Sequence, residues 1–99
     1  MIRHVVMWKL NAEDAADQKV AVAAMATALE ALVGKIDGLE SLTVRADVAD
    51  IESNWDVVLV SDHTSREALA NYSTHPLHVQ AGAVVKENTR ERACVDFEL

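Results

Sequence analysis

Tyr72-Ser73-Thr74-His75-Pro76-Leu77-His78 brings a phenol and two imidazoles into one short stretch, and Val95-Asp96-Phe97-Glu98 adds carboxylates further on. Imidazole titrates near neutrality, so it suits removal of a proton next to a carbonyl. A phenol hydroxyl can then donate to the enolate oxygen that forms. Pro76 lacks an N–H and has a fixed φ, which suits the first turn of a helix. His75 therefore reads as the residue that starts a helix, and His78 as lying one turn inside it. On this reading His78 is the base and Tyr72 the donor. Asp96 is expected to hold the other nitrogen of the His78 ring, and His4 to orient a carbonyl or a water.

Each of these residues also has a plain structural use. His75 can cap the helix that Pro76 opens. Tyr72 can be a core tyrosine with a satisfied hydroxyl. His4 lies in an apolar segment, Ile2 to Lys9, that can hide one satisfied histidine. Asp96 can pair with Arg92, four residues away on the same strand face. Asp56 can pair with a cation or sit at a wet rim. Trp8 and Trp55 pack by default, and Cys94 reads as a small buried hydrophobe.

The elements that must carry these groups follow from periodicity. Ile2 to Lys9 is a strand by its β-branched content, with His4, Val6 and Trp8 on one face and Val5 and Met7 on the other. Asn11 can cap a following helix, with Asp14 completing a weak capping box. Val22, Met25, Leu29, Leu32 and Val33 recur at helical spacing, and Gly34 can stop the helix. After the Asp37-Gly38 turn, a strand is expected from Leu39 to about Ala46. A polar loop follows from Asp47 to Asn54, then a strand from Trp55 to about Ser61. Thr64 with Glu67 suits a capping box for a helix ending near Tyr72, Pro76 opens another reaching roughly Asn88, and Arg90 to Glu98 is the last strand. The order β-α-β-β-α-α-β is the ferredoxin-like plan, an α+β fold with an antiparallel sheet in one domain over residues 1–99.

Composition narrows the partners. The chain has 99 residues and a net charge of −7, which disfavours nucleic acid and anionic membrane surfaces alike. No apolar run approaches the roughly 20 residues of a membrane span. The start, from Met1 to Val6, lacks the pattern of a signal peptide, and the single Cys94 allows no internal disulfide, so a cytoplasmic home is expected. Gly34, Gly38 and Gly82 are isolated, so no phosphate-cradling loop and no nucleotide or flavin cofactor is expected. His75 and His78 have a chelating spacing, but Pro76 lies between them and no Cys or acid completes a set; no metal site is expected. Few aromatics must be compensated by many small contacts, and a homodimer would bury a second face.

His4, Tyr72, the His75-Pro76-Leu77-His78 motif and the terminal Val95-Asp96-Phe97-Glu98, in this element order, resemble the dimeric α/β-barrel family, also called the stress-responsive A/B barrel or Dabb domain. The resemblance spans essentially the whole chain. It implies two ferredoxin-like subunits whose sheets together close a barrel with the helices outside. The best understood activity in that family is a cofactor-free polyketide cyclisation by intramolecular aldol condensation, and the same barrel also hosts cofactor-free oxygenases. By that resemblance, His78 matches the catalytic base, Tyr72 its tyrosine, His4 a first-strand histidine and Asp96 a last-strand carboxylate. Asp56 stands where the cyclase has another histidine. Val22, Ala23 and Ala26 replace bulky aromatics of its first helix, while Trp8 enlarges the neighbouring strand.

The expected function is therefore proton abstraction from a small carbonyl or polyketide-like compound, with no cofactor. Val6, Trp8, Val58, Gly82 and Asp56 are the expected ligand-lining residues, Gly82 by leaving space beside the His78 ring. A ligand-binding or stress-associated dimer without turnover is the alternative. An enclosed, partly apolar cavity touching His78, Tyr72 and His4 would favour an enzyme or a binding protein.

Overall fold

Buried residues alternate with more exposed ones from Ile2 to Leu10, and this segment is an inner strand of the sheet. The computed structural model describes residues 1–99. Its elements are β1 (Ile2–Leu10), α1 (Ala15–Glu30), β2 (Leu39–Ala46), β3 (Val57–His63), α2 (Arg66–Thr74), α3 (Pro76–Asn88) and β4 (Thr89–Glu98). The strands lie in the order β2-β3-β1-β4, and every neighbouring pair is antiparallel. This is the expected ferredoxin-like α+β plan.

One side of the sheet is buried and the other is open. Ile2, His4, Val6, Trp8 and Leu10 are all buried on β1, as are Val57, Leu59, Ser61 and His63 on β3. The register pairs Val6 with Leu59 and Trp8 with Val57, so the two strands present their buried residues to the same side. Met25 and Leu29 of α1 and Val85 of α3 complete one core with them. Each such aliphatic side chain contributes about 1.5–3 kcal/mol by leaving water. Val5 and Met7 face the opposite side, where Met7, Val95 and Phe97 are exposed. Arg3 closes the end of that side in a two-pronged ion pair with Asp62, at 2.8 and 2.9 Å.

Several element ends differ from expectation. α1 is capped by Asp14, whose side chain accepts from the Asp17 N–H, and not by Asn11. Asn11 instead reaches α3, its backbone N–H donating to Asn88 and its side chain to the Glu87 carbonyl. α1 ends at Glu30, with Gly34 in a following turn at φ +85°. Its buried stripe includes Ala21, while Val22 is half-buried and Val33 exposed. Ser65, not Thr64, caps α2. β3 begins at Val57 and runs on to His63, two residues past the expected stop. That extension adds a histidine to the covered face.

Candidate active site

Elements β1, α2 and α3 bring the expected site residues to one cavity of about 340 Å³ between the helices and the covered side of the sheet. β1 supplies His4, Val6 and Trp8; α2 supplies Tyr72; α3 supplies His78 and Gly82. The local chain explains the convergence. Strand alternation sends His4, Val6 and Trp8 to one side. His75 ends α2 with an extended backbone, and its ring Nδ1 accepts from the Leu77 N–H at 3.1 Å, capping α3. The chain thus turns between two helices at His75-Pro76, and Tyr72 and His78 meet with ring centroids 4.2 Å apart.

The ring of His78 has a defined tautomer. Its Nδ1 lies 3.1 Å from the Ser73 carbonyl oxygen. A carbonyl only accepts, so Nδ1 carries the proton and Nε2 keeps its lone pair. Burial pushes the His78 pKa below its ordinary value, against a smaller opposing effect of that hydrogen bond, and the ring is neutral at neutral pH. Tyr72 is 1% exposed. Burial raises its pKa to about 12, so its hydroxyl stays protonated and able to donate. These are the protonation states a base and a donor need.

His4 has the carboxylate. Its Nδ1 lies 2.5 Å from Asp96 Oδ1, across the β1–β4 pair in which the two residues are direct partners. The expected contact between Asp96 and His78 is therefore absent, because the antiparallel register aims Asp96 at His4. Asp96 makes no ion pair with Arg92 either; His4 takes it. With Nδ1 donating to the carboxylate, His4 also leaves Nε2 for the cavity. Two imidazoles thus stand near the Tyr72 ring, that of His78 with its centroid at 4.2 Å, held by a backbone carbonyl, and that of His4 at 6.3 Å, held by a carboxylate.

Cys94, on edge strand β4, is exposed and not buried as expected. Its sulfur lies 3.5 Å from His4 Nδ1 and 3.6 Å from Asp96 Oδ1. Partial burial, then the charge of Asp96, pushes its thiol pKa up, which suits a thiol rather than a nucleophilic thiolate. His4, Cys94 and Asp96 are the group with donor atoms closest to a metal set, all within 4.8 Å. Two ligands at about 2.0 Å from a tetrahedral ion stand roughly 3.3 Å apart. The His4–Asp96 separation is that of a hydrogen bond instead.

The family model of the stress responsive A/B barrel domain, Dabb, matches residues 2–99. The chain belongs to the Dabb family. A dimeric protein of unknown function with a ferredoxin-like fold from Bacteroides fragilis is 30% identical, with 99% of this chain and 95% of that one covered and a TM-score of 0.87. A dimeric ferredoxin-like protein of unknown function from Thermobifida fusca is 26% identical, covering 99% and 90%, with a TM-score of 0.77. Another from Jannaschia is also 26% identical, covering 99% and 98%, with a TM-score of 0.76. Curated protein sequences give no match. No helix of this Dabb chain is long and apolar enough to cross a membrane.

Two expected lining residues of the Dabb chain lie elsewhere. Val58 is on the open side of β3, because it alternates with the buried Val57 and Leu59. Asp56 lines a separate hollow beside Val22, Ala23 and Ala26. Its carboxylate accepts from the Leu10 N–H at 2.8 Å, pinning the end of β1 to the start of β3.

Other residues of the Dabb site escape a sequence reading. His63 is fully buried, its Nε2 2.8 Å from Ser61 Oγ and its ring 4.8 Å from that of Tyr72. Its Nδ1 is the one buried side-chain polar atom without a partner. Burial, then the neighbouring His4, pushes its pKa down. Continuing the alternation Val57, Leu59, Ser61 by one more step would have found it. Leu29 of the α1 stripe, Arg92 on the strand face of Asp96, and Lys86 also line the cavity, and no motif marks them as part of a site.

Proposed function

We propose that this Dabb protein is a cofactor-independent enzyme that removes a proton next to a carbonyl in a small, partly apolar compound. The observation that carries this is the Ser73 carbonyl on His78 Nδ1, which leaves Nε2 as a base beside the protonated Tyr72 hydroxyl. His78 Nε2 takes the proton from the α-carbon, and the C–H electron pair becomes an enolate. The Tyr72 O–H donates a hydrogen bond to the enolate oxygen. In an aldol-type ring closure the enolate carbon then forms a bond to a second carbonyl, whose oxygen receives the proton back from His78. His4, held by Asp96, orients the substrate or a water from the β1 wall of the cavity. Val6, Trp8 and Gly82 shape the space for it.

The working unit is a homodimer in this proposal. Met7, Val95 and Phe97 are exposed together on the open side of the sheet, and similar structures from Bacteroides fragilis and Thermobifida fusca are dimeric. Pairing two such faces would bury them.

The test is deuterium incorporation at the α-carbon of small β-keto acids and aryl ketones, followed by NMR in heavy water. Exchange faster than in buffer is expected. His78→Ala and Tyr72→Phe should each slow it by about 10²–10⁴-fold while thermal melts stay cooperative. No acceleration with any compound, or full acceleration in both variants, refutes the proposal.

A further inference from the structure

We infer that the cavity takes an amphipathic anion: a small carboxylate with an apolar body, its charged group held by Arg92 and Lys86. This rests on the cavity being the place where the chemistry occurs, and it names the class of compound that enters. The chain is strongly acidic, with nine Lys and Arg against sixteen Asp and Glu. The cavity reverses that balance. Lys86, Arg90 and Arg92 line it, and the acid among its lining residues is Glu91.

The two nearby carboxylates are both engaged. Glu91 is held by Lys9 at 3.0 Å and by Arg90 at 3.4 Å. Asp96 is held by His4. Arg3, Lys9, Arg45, Arg66 and Arg90 all have ion-pair partners in the chain; Lys19, Lys35, Lys86 and Arg92 have none, and of these four Lys86 and Arg92 line the cavity. Two uncommitted cations thus stand at one cavity, one from the last turn of α3 and one from β4.

Arg92 is placed to act on the same groups as the proposed chemistry. Its charge draws the pKa values of both Tyr72 and His78 downward. An anion beside it would be within reach of those side chains. A carboxylate matches the planar fork of a guanidinium through two parallel hydrogen bonds, and an ammonium adds a point charge. Beyond the polar groups of the site, the wall offers hydrocarbon from Val6, Trp8, Leu29, Leu59 and Val85. A ligand that is only charged would leave this floor wet, and one that is only apolar would leave two cations without a partner. An anionic head on an apolar body satisfies both.

Three probes with one hydrocarbon chain separate the possibilities: octanoate, 1-octanol and octylamine. Binding is followed by chemical-shift perturbation of the Trp8 indole N–H, which reports on the cavity floor. Octanoate should bind on the order of tenfold more tightly than octanol, and octylamine should bind least. Added salt should weaken octanoate and leave octanol unchanged. Arg92→Gln with Lys86→Gln should abolish the preference for octanoate, and Arg92→Glu should shift it toward octylamine. His78→Ala and Tyr72→Phe should leave the preference in place, so a failed catalytic proposal and a failed anion site give different results. The inference is overturned by equal binding of octanoate and octanol, by a preference for octylamine, by a preference that survives the double substitution, or by no perturbation of Trp8 with any probe.

Discussion

Asp96 faces His4, not His78: the two side chains meet across β1 and β4 with Nδ1 2.5 Å from Oδ1. His78 instead takes its orientation from the Ser73 carbonyl. The expected carboxylate–imidazole pair exists in this Dabb chain, but on the strand histidine. Asp96→Asn should therefore lower the α-proton exchange activity less than His78→Ala does, because it loosens a positioning residue and leaves the base intact. His4→Ala should abolish any further effect of Asp96→Asn in a double-mutant cycle. Additive losses would show that Asp96 acts elsewhere.

Stability should fall in mild acid. Burial lowers the pKa values of His63 and His78 from the ordinary 6.5. Below about pH 6.5 the unfolded chain then binds protons that the folded chain refuses, so stability rises with pH in that range. The full stability is present above the ordinary histidine pKa and is lost as pH falls toward the depressed folded values. Urea unfolding midpoints measured at successive pH values check this, and His63→Gln should flatten the slope. A midpoint independent of pH through this window would contradict the burial of both rings.

Truncations in α1 test the core. Met25 and Leu29 are 0% and 2% exposed. Met25→Ala or Leu29→Ala should each destabilise the fold by about 2–5 kcal/mol, whereas Val20→Ala, on the exposed side, should change it by less than about 0.5 kcal/mol. Equilibrium unfolding of the three variants decides. Equal effects would mean that the stripe faces elsewhere.

Two glycine substitutions should move in opposite directions. At Gly38, with φ +86°, an added Cβ would stand 2.5 Å from the Ala68 Cβ. Gly38→Ala should cost more than about 1 kcal/mol, from the backbone strain and the clash together. At Gly82, inside α3, an added Cβ meets nothing within 4 Å. Gly82→Ala should stabilise the helix by roughly 0.5–1 kcal/mol while reducing the cavity and weakening octanoate binding. Thermal melts with and without octanoate measure both effects.

Association should depend on the open side of the sheet. Met7 and Val95 are 41% and 65% exposed in the single chain. Met7→Asp with Val95→Asp should shift sedimentation equilibrium from dimer to monomer, because unpaired charges would have to be buried between the faces. A wild-type chain that sediments as a stable monomer at micromolar concentration would rule out the homodimer.

Periodicity in the chain already determined the element order, which residues of β1 share a face and the helix break at His75-Pro76. These depend on each residue and its near neighbours: alternation on a strand, 3.6-residue spacing on a helix, the fixed φ of proline. Tyr72, His78, His4 and Gly82 were legible for that reason, together with their likeness to the Dabb motif. Tertiary structure decided the pairings. A one-residue change of register flips a strand's faces, so no local pattern could assign Asp96 to His4 or send Val58 to the open side. The turn from α2 into α3 brings the Ser73 carbonyl to His78, a contact that no local pattern names. Lys86 and Arg92, far apart in character from any motif, became part of one cavity because α3 and β4 meet there.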